Sequence, residues 1–392
     1  MPERRRAPHL LVAGLTTRAL ALSAVRAGYR VTAIDGFADL DLEAAAQQVL
    51  LARSRTDGEP YSALEAANAG AKVSARLVAY TSNFENFPAA VARLARSRQL
   101  LGNPPETLRR ARDPLELMRI LRRSGLPCLQ SRSRPPGGRS RPGTWLLKPR
   151  RSGGGHGVAA WAPGSPVPSG MYLQQRISGA AASISFAADG TNVRILGFSR
   201  QLVGDPRFGA RRFRYCGSIL GAPQLRLFSR QAEVLELANR VAAVVAARLG
   251  LIGLNGIDFI ARQGIPYTIE INPRYSASME LIERAHRLSI FGVHVLACKR
   301  QLAAIPLLPD SSAAHGKAIV FARQDSLVGD SRAWLRRRWV ADVPRPGENI
   351  RKGRPICTVF ARGRTPAECR AGLVRRARMI YRMMRSPGRQ AA

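Results

Sequence analysis

Short apolar runs alternate with polar or helical stretches along the first hundred residues. Apolar runs at 10–13 and 29–35 predict two strands, and the stretch 17–26 between them has helical character. This β–turn–α–β opening predicts a Rossmann-like unit. The turn after the first strand reads Gly14-Leu15-Thr16-Thr17-Arg18 and lacks the G-x-G-x-x-G pattern, so dinucleotide binding is poorly supported.

A third apolar run, at 77–81, is followed by the polar side chains of Ser82, Asn83, Glu85 and Asn86. Polar groups at the carboxyl end of such a strand lie where substrates bind in α/β folds. The alternative is that Ser82 or Asn83 caps the helix that follows. We expect the cap.

Turn and capping residues predict further elements along the middle of the chain. Asp113-Pro114 is typical of a helix start, with proline at the first helical position. Asp189-Gly190 predicts a hairpin between two strand-like runs. Apolar residues at helical spacing in 228–249 predict a helix that Gly250 ends. Residues 131–143 are rich in Arg, Pro, Ser and Gly and predict an exposed loop.

Hard oxygen donors mark two strand-like runs that flank the turn Arg262-Gln263-Gly264, and this turn predicts a hairpin. Asp258 lies on the first run. Glu270 and Asn272 lie two apart on the second, so a strand directs both to one face. Pairing would join two carboxylates and a carboxamide in an oxygen-only site, which suits Mg²⁺ rather than zinc or copper. Arg274 follows, where it can meet an anion beside the metal. The alternative interpretation is an amphipathic hairpin with a polar outer face.

A glycine-rich segment lies upstream of this hairpin. The apolar run 145–147 ends in Lys148, and four of the five positions 153–157 are glycines. Such a loop lets backbone N–H groups turn toward one anion, and the lysine adds a point charge. No Lys-Ser/Thr pair follows the glycines, so the segment is not a P-loop. By itself, a glycine-rich loop is also typical of ordinary hairpins.

The net positive charge of this chain is far larger than that of an average globular protein. It has 392 residues and a net charge of +36, and arginine supplies almost all of its 62 basic residues. Such an excess is typical of a GC-rich genome, and also of proteins with an anionic partner such as nucleic acid or an acidic protein. An aromatic fraction of 6% and the lack of a nucleic-acid motif argue against nucleic acid as the main partner. Lys148 is notable because a solvated surface would have used arginine.

Cysteine usage and hydropathy predict a cytoplasmic protein without a membrane partner. The five cysteines are scattered, odd in number and not in metal-binding spacing, which predicts reduced thiols. No apolar run approaches the roughly 18 residues that a bilayer span needs.

A lysine-tipped strand, a glycine-rich loop and a later Asp…Glu-x-Asn-x-Arg set, in this order, resemble the ATP-grasp superfamily over roughly residues 9–300. The resemblance extends to a group of predicted ATP-dependent carboligases related to biotin carboxylase. It implies that Asp258, Glu270 and Asn272 hold Mg²⁺, with Mn²⁺ as the alternative metal, and that Arg274 and Lys148 act in catalysis. The residues implied to bind ATP are Lys148, Ser152, Gly153, Gly154, Gly155 and Gly157, together with Gln174, Gln175 and Ile177 at a hinge.

Three positions depart from the family pattern. Gln174 replaces an acidic residue at the hinge, and Ala181 replaces a ribose-binding acid. Pro114 stands after Asp113, where many relatives have a second phosphate-binding lysine. The contacts to ribose and to the α-phosphate therefore stay open. A neighbouring arginine is the candidate replacement for the lysine, and the sequence does not select one.

The resemblance implies an α/β fold, in part α+β, with three domains. These are a Rossmann-like domain over 1–103, a two-lobed ATP-grasp domain over 104–300 with its hinge near 172–179, and a small C-terminal α/β lobe over 301–392. We expect the lobe to end in a basic helix whose arginines form a solvated face.

The implied activity is that of a carboxylate–amine ligase. ATP would activate a small-molecule carboxylate as an acyl-phosphate, which an amine then attacks, with cofactor biosynthesis for one-carbon metabolism as one setting. An ATP-dependent carboxylase that uses bicarbonate through carboxyphosphate is the alternative enzyme. A basic, nucleotide-gated binding module for a polyanion is the alternative outside catalysis. Neither the substrates nor the oligomeric state follows from the sequence, and a homo-oligomer is compatible with it.

Overall fold

The computed structural model describes residues 7–52, 61–137, 141, 143–222, 224–309 and 311–385. Within these ranges the chain forms a five-stranded, a four-stranded and an eight-stranded sheet, together with a two-stranded ribbon. Part of the loop predicted at 131–143 lies outside the described residues. Its first two residues, Ser131–Arg132, form a short strand rather than loop.

The N-terminal region is a doubly wound unit, as the opening pattern predicted. Its elements are β1 (His9–Ala13), α1 (Arg18–Arg26), β2 (Arg30–Asp35), α2 (Leu40–Glu43), β3 (Gln48–Leu51), α3 (Ala63–Ala71), β4 (Leu77–Tyr80), α4 (Pro88–Ala95) and β5 (Gln99–Leu101). The strands pair in parallel in the order β3-β2-β1-β4-β5. Asp35 accepts hydrogen bonds from Thr17 and from the backbone of Phe37 and Ala38, so its carboxylate holds the ends of β1 and β2 together.

Two short helices lead from this unit to a small sheet. The elements are α5 (Pro105–Ala111), α6 (Pro114–Arg123), β6 (Ser131–Arg132), β7 (Trp145–Pro149), β8 (Ala159–Ala160) and β9 (Met171–Gln175). Asp113 caps α6 through the N–H of Leu115, as predicted. The strand order is β6-β9-β7-β8, and the register places Lys148 of β7 opposite Tyr172 of β9.

A larger antiparallel sheet carries the predicted metal ligands. Its first strands and their helix are β10 (Ala180–Asp189), β11 (Val193–Val203), β12 (Tyr215–Leu220), α7 (Gln231–Leu249), β13 (Ile252–Arg262) and β14 (Ile265–Asn272). The hairpins predicted at Asp189-Gly190 and at Gln263-Gly264 are both confirmed. Gly250 ends α7 in the left-handed conformation, at φ +65°. This cap is the one that the sequence predicted.

The C-terminal elements continue the same sheet. They are α8 (Met279–His286), α9 (Ile290–Cys298), β15 (Ala314–Phe321), β16 (Ser326–Leu327), β17 (Val340–Ala341), β18 (Asn349–Ile350), β19 (Pro355–Gly363) and α10 (Pro366–Arg385). The strand order is β14-β13-β10-β11-β12-β15-β19-β17, so residues on both sides of position 300 share one sheet. The domain limits expected from the sequence stay a prediction.

The basic terminal helix has one apolar face. Cys369, Leu373, Ala377 and Ile380 are buried at helical spacing in α10, and α10 packs on β15 and β19. Arg375, Arg378 and Arg382 are exposed, as expected for a solvated face. The helices within the described ranges fall short of the combined length and apolarity that a membrane crossing requires.

Candidate functional site

Lys148 lies near the end of β7 and faces β9. Its Nζ donates a hydrogen bond to Oε1 of Gln174 at 2.9 Å and lies 5.7 Å from the centroid of the Tyr172 ring. The Gln174 amide in turn donates to the Ile269 carbonyl at 3.0 Å. Gln174, which stands where many relatives have an acidic hinge residue, therefore orients Lys148 and connects the small sheet to β14.

The glycine-rich loop after β7 folds down on β12. Gly154, Gly155 and Gly157 have φ values of +62°, +78° and +70°, a region that side chains rarely adopt. A Cβ at Gly155 would lie 1.9 Å from the Phe213 carbonyl oxygen, so only glycine fits there. The Gly154 carbonyl accepts the Tyr215 N–H at 3.0 Å, and this bond fixes the loop against the larger sheet.

Ser152 closes the loop on itself, because its hydroxyl donates to the His156 carbonyl at 2.6 Å. The other implied nucleotide residues lie around the end of β9. The Gln175 N–H donates to the Gln130 carbonyl at 2.8 Å, and Ile177 is half-buried two residues further on. Gln174, Gln175 and Ile177 thus follow one another along a single strand end.

Asp258 and Glu270 lie directly opposite each other on β13 and β14. Oδ1 of Asp258 accepts from the Gln201 amide at 2.9 Å, and Oδ2 accepts from the Asn272 amide at 3.1 Å. Burial and the neighbouring Glu270 raise the pKa of Asp258 to about 7. The structure thus brings together the three oxygen-donor side chains that the sequence predicted to meet.

Glu270 carries the opposite pKa shift. Burial favours its protonated form, yet the positive charges of Arg112 and Lys148 outweigh burial and lower its pKa. The Arg112 Nη1 atom lies 3.1 Å from a Glu270 oxygen. The pair therefore combines one readily ionised carboxylate with one that holds its proton more tightly.

Arg112 is the main residue that sequence reasoning missed. Its guanidinium also donates to Oδ1 of Asn86 at 3.0 Å and to the Ser152 carbonyl at 2.8 Å. One buried side chain thereby joins β14, the loop after β4 and the glycine-rich loop. Its position next to Asp113-Pro114 was the available signal, because an arginine near that point was the expected substitute for a lysine.

A second arginine lies closer to Lys148. Arg150 lies 6.0 Å from the Tyr172 ring, which Lys148 also approaches, and its guanidinium lies 3.7 Å from the Asp113 carboxylate. Arg112 has four partners among the described residues, whereas about a third of the Arg150 side chain is exposed. Arg150 is therefore partly accessible and approaches the same ring as Lys148.

Arg274 forms a buried ion pair with Glu85. The Nη2–Oε1 distance is 2.8 Å, and the Glu85 side chain is 1% exposed. Nη2 of Arg274 also donates to Oδ1 of Asn272 at 3.2 Å, which links this arginine to the oxygen-donor set. Glu85 thus belongs to the site rather than to a solvent-exposed turn.

The loop after β4 does not contain the helix cap that the sequence predicted. Asn83 precedes a short 3₁₀ helix, Phe84–Asn86, but its side chain makes no capping hydrogen bond there, so the expected cap is wrong. Asn83 Oδ1, Glu85 Oε2 and Arg274 Nε are buried and lack hydrogen-bond partners among the described residues. Buried polar atoms without partners are costly, and they mark a place where a ligand could bind.

The donor set suits a hard divalent cation. No group of three or more His, Cys, Asp or Glu side chains suited to a metal occurs in the part of the chain that the structure describes. The predicted set has two carboxylates and a carboxamide instead, all oxygen donors of the kind that Mg²⁺ accepts. Two half-buried carboxylates facing each other would also be relieved by a cation between them. Asp258, Glu270 and Asn272 therefore fit such an ion.

Comparison with known proteins identifies the class. Residues 111–278 match the family model described as the ATP-grasp domain. The chain superimposes on an L-amino acid ligase from Bacillus licheniformis with a TM-score of 0.65 and 17% identity, covering 96% of this chain and 98% of that one. It superimposes on a biotin carboxylase from Campylobacter jejuni with a TM-score of 0.67 and 15% identity, covering 92% and 89%. At these identities the likeness shows the fold.

Residues 111–278 therefore match the ATP-grasp domain family, and the superimposed structures share the fold of the chain over most of its length. Among curated proteins it is similar to an uncharacterised protein of Methanocaldococcus jannaschii, with 28% identity over 131 residues. That match covers 33% of this chain and 32% of the archaeal protein. The aligned part is thus about a third of this relative.

Proposed function

We propose that this protein is an ATP-dependent ligase that activates a carboxylate as an acyl-phosphate for attack by an amine. The observation that carries the proposal is the joining of two predicted sites. Arg112 connects Glu270, in the predicted metal set, to Ser152 at the start of the glycine-rich loop, and Gln174 connects Lys148 to the strand of Glu270. A phosphate-binding loop and a hard-cation site in direct contact suit a nucleoside triphosphate with its metal.

Each side chain would then act by position and charge. Lys148 and Arg150 would bind phosphate oxygens, and the glycine-rich loop would exclude water from the reacting phosphoryl group. Arg274 would neutralise charge that develops on the acyl-phosphate. Glu85 holds the Arg274 guanidinium in place, because the two are paired at 2.8 Å. Phosphoryl transfer depends mainly on positioning and electrostatics, so no covalent catalyst is needed.

The metal would be held by Asp258, Glu270 and Asn272. When bound, Mg²⁺ supplies charge neutralisation between the triphosphate and these side chains. The ion would take the place of the hydrogen bond that the Asn272 amide now donates to Asp258. ATP and Mg²⁺ are both part of this proposal.

A carboxylase is the second candidate. Biotin carboxylase shares the fold over most of its length, and bicarbonate is itself a carboxylate-like acceptor of the γ-phosphoryl group. The same residues would serve both reactions, because the two differ in the acceptor and not in the phosphoryl donor. The acceptor that stimulates phosphate release from ATP therefore separates the two candidates.

Phosphate release from Mg·ATP tests the proposal. Wild-type protein is assayed with amino acids, other carboxylates, amines and bicarbonate, singly and in pairs, beside Glu270→Gln. We expect release that needs a carboxylate together with an amine and that the variant loses. Release with bicarbonate alone would support the carboxylase instead. A wild-type protein that neither binds nor hydrolyses ATP would refute both enzymes.

A further inference from the structure

A cavity of about 540 Å³ lies beside the glycine-rich loop. Three segments line it: Gly155 to Ala159 of the loop, the connection between β11 and β12, and two turns of the C-terminal region beside β15 and β19. The volume falls within the range of roughly 300–1,000 Å³ that is common for small-molecule sites. The loop is therefore shared between this cavity and the proposed ATP site.

The charge of the cavity is one-sided. Its lining contains five cationic side chains and no Asp or Glu; the cations are Arg211, Arg212, Arg214, Arg323 and Lys352. They come from two segments that are more than a hundred residues apart in the sequence. The fold, and not one run of basic residues, brings them together.

The nearest carboxylates are engaged elsewhere. Asp205 pairs with Arg207 at 2.8 Å and with Arg370 at 2.9 Å. Asp325 accepts a hydrogen bond from the backbone N–H of Lys352 and forms no ion pair with its ammonium group among the described residues. Within those residues, then, no carboxylate balances the cavity cations.

Arg214 is built into the cavity wall rather than free in solvent. Its guanidinium stacks on Phe321 at 4.6 Å from the ring centroid, donates to the Gly353 carbonyl and lies 3.0 Å from Nε2 of His156. Burial and the charges of Arg214 and Arg354 lower the pKa of His156. His156 is therefore neutral near pH 7 and can accept this hydrogen bond. These contacts tie the glycine-rich loop to the C-terminal region.

We propose that this cavity binds a small molecule with at least two negative charges, either a phosphate monoester or a polycarboxylate, and that this molecule is a substrate of the ligase. Converging, unbalanced cations that line one cavity suit a multiply charged oxyanion. That the ligand is a substrate rests on the proposed function. That the ligand is a multiply charged oxyanion rests on the residues that line the cavity.

The position of the cavity indicates how a bound substrate would affect the glycine-rich loop. A bound oxyanion would contact the C-terminal turns and the same loop that closes over the proposed phosphate site, so its binding would stabilise the closed loop. A nucleic acid would instead use exposed arginines over a broad surface. The cavity favours the small molecule because Arg214 is anchored and three segments of the chain line one volume of about 540 Å³.

Calorimetric titration with two probes tests this assignment: glycerol 2-phosphate for the phosphate monoester and tricarballylate for the polycarboxylate. A saturating non-hydrolysable ATP analogue with Mg²⁺ keeps the probes out of the nucleotide site. We expect at least one probe to bind the wild type. Arg211→Gln combined with Lys352→Gln should weaken that binding at least about tenfold, because charge-assisted hydrogen bonds are lost. The probe that binds identifies the class of oxyanion.

The matched control is Arg122→Gln combined with Arg123→Gln on the exposed end of α6. It removes the same charge far from the cavity lining and should change probe binding less than about twofold. Equal weakening by both double variants would overturn the proposal, as would a wild type that binds neither probe. Binding of a single-stranded oligonucleotide alone would also overturn it and favour a polyanion surface.

Glu270→Gln separates this inference from the proposed function. The variant should lose phosphate release and keep probe binding, because Glu270 does not line the cavity. Probe binding by a protein that never turns over ATP would leave the cavity assigned and refute the ligase. ATP turnover without probe binding would support the ligase and refute the assignment of the cavity.

Discussion

The Arg112 guanidinium lies 3.1 Å from the Glu270 carboxylate, although 158 residues separate the two in the sequence. The same guanidinium donates to the Ser152 carbonyl at 2.8 Å. The ion pair therefore keeps Glu270 ionised and holds the start of the glycine-rich loop. Of the contacts in the site, this one most directly couples the proposed metal to the proposed phosphate-binding loop.

Replacing this arginine should therefore affect both stability and activity. Arg112→Met leaves the Glu270 carboxylate, whose side chain is 26% exposed, without its ion-pair partner, and we expect the free energy of unfolding to fall by about 1–3 kcal/mol. Calorimetric unfolding and phosphate release measure the two effects. The matched control is Arg110→Met, whose ion pair with Glu116 is more exposed, at 42% and 21% of the two side chains, and should be worth less than about 1 kcal/mol. Equal losses in both variants would contradict the coupling.

Lys148 should matter for ATP rather than for stability. Lys148→Met removes a charge that approaches phosphate and leaves Gln174 half satisfied, so we expect the affinity for ATP to fall at least about tenfold. Lys299→Met, at an exposed helix end, is the matched control and should bind ATP as the wild type does. Equilibrium binding of a fluorescent ATP analogue checks this. Full binding by Lys148→Met would exclude Lys148 from the phosphate site.

The glycine-rich loop offers an internal comparison. Gly155→Ala places a Cβ 1.9 Å from the Phe213 carbonyl oxygen at a φ of +78°, so the loop cannot pack on β12 as it does now. At Gly153 the same change meets open space at an ordinary φ. We expect Gly155→Ala to lower kcat/KM for ATP at least about tenfold and Gly153→Ala to change it by less than about threefold. Steady-state kinetics of both variants measure the difference, and equal effects would exclude docking of the loop on β12 as a requirement.

His294 should make the fold sensitive to acid. It is buried on α9, where burial lowers its pKa to about 4, and Nδ1 accepts the Leu254 N–H at 2.9 Å. The unfolded chain binds the proton more readily than the folded chain between about pH 6.5 and pH 4. Stability is therefore fully present above pH 6.5 and falls as the pH drops through that window, by on the order of 3 kcal/mol.

His294→Gln provides the comparison, because an amide can accept and donate hydrogen bonds without titrating there. The variant should lose less thermal stability than the wild type between pH 7 and about pH 5. Scanning calorimetry at both pH values measures the two losses. An identical loss in the two proteins would mean that other groups cause the acid sensitivity.

Local patterns predicted the parts of this site that lie within one element or one turn. Lys148 at a strand end, the glycines after it and the hairpin that carries Asp258 opposite Glu270 all follow from short-range rules of strand alternation and turn chemistry. The sequence also predicted that an arginine near Asp113 replaces the missing lysine, but it did not select Arg112 from its neighbours.

The remaining parts depend on long-range packing. Gln201 reaches Asp258 from β11, and Glu85 reaches Arg274 from the loop after β4. No residue spacing in the sequence predicts either contact, because each depends on how sheets and loops pack in three dimensions. The pairing of β12 with β15, which joins residues after 300 to the larger sheet, is equally invisible in a single sequence. The cap expected in the loop after β4 was wrong because a capping residue and a site residue have the same polar character.

The central claim is that Lys148, the glycine-rich loop and the set of Asp258, Glu270 and Asn272 form one site for ATP and its metal. Calorimetric titration of ATP with and without Mg²⁺, for the wild type and for Glu270→Gln, tests it most directly. The account predicts that Mg²⁺ strengthens ATP binding to the wild type at least about tenfold and that Glu270→Gln removes most of this gain. The same Mg²⁺ dependence in both proteins, or no ATP binding by the wild type, would contradict it.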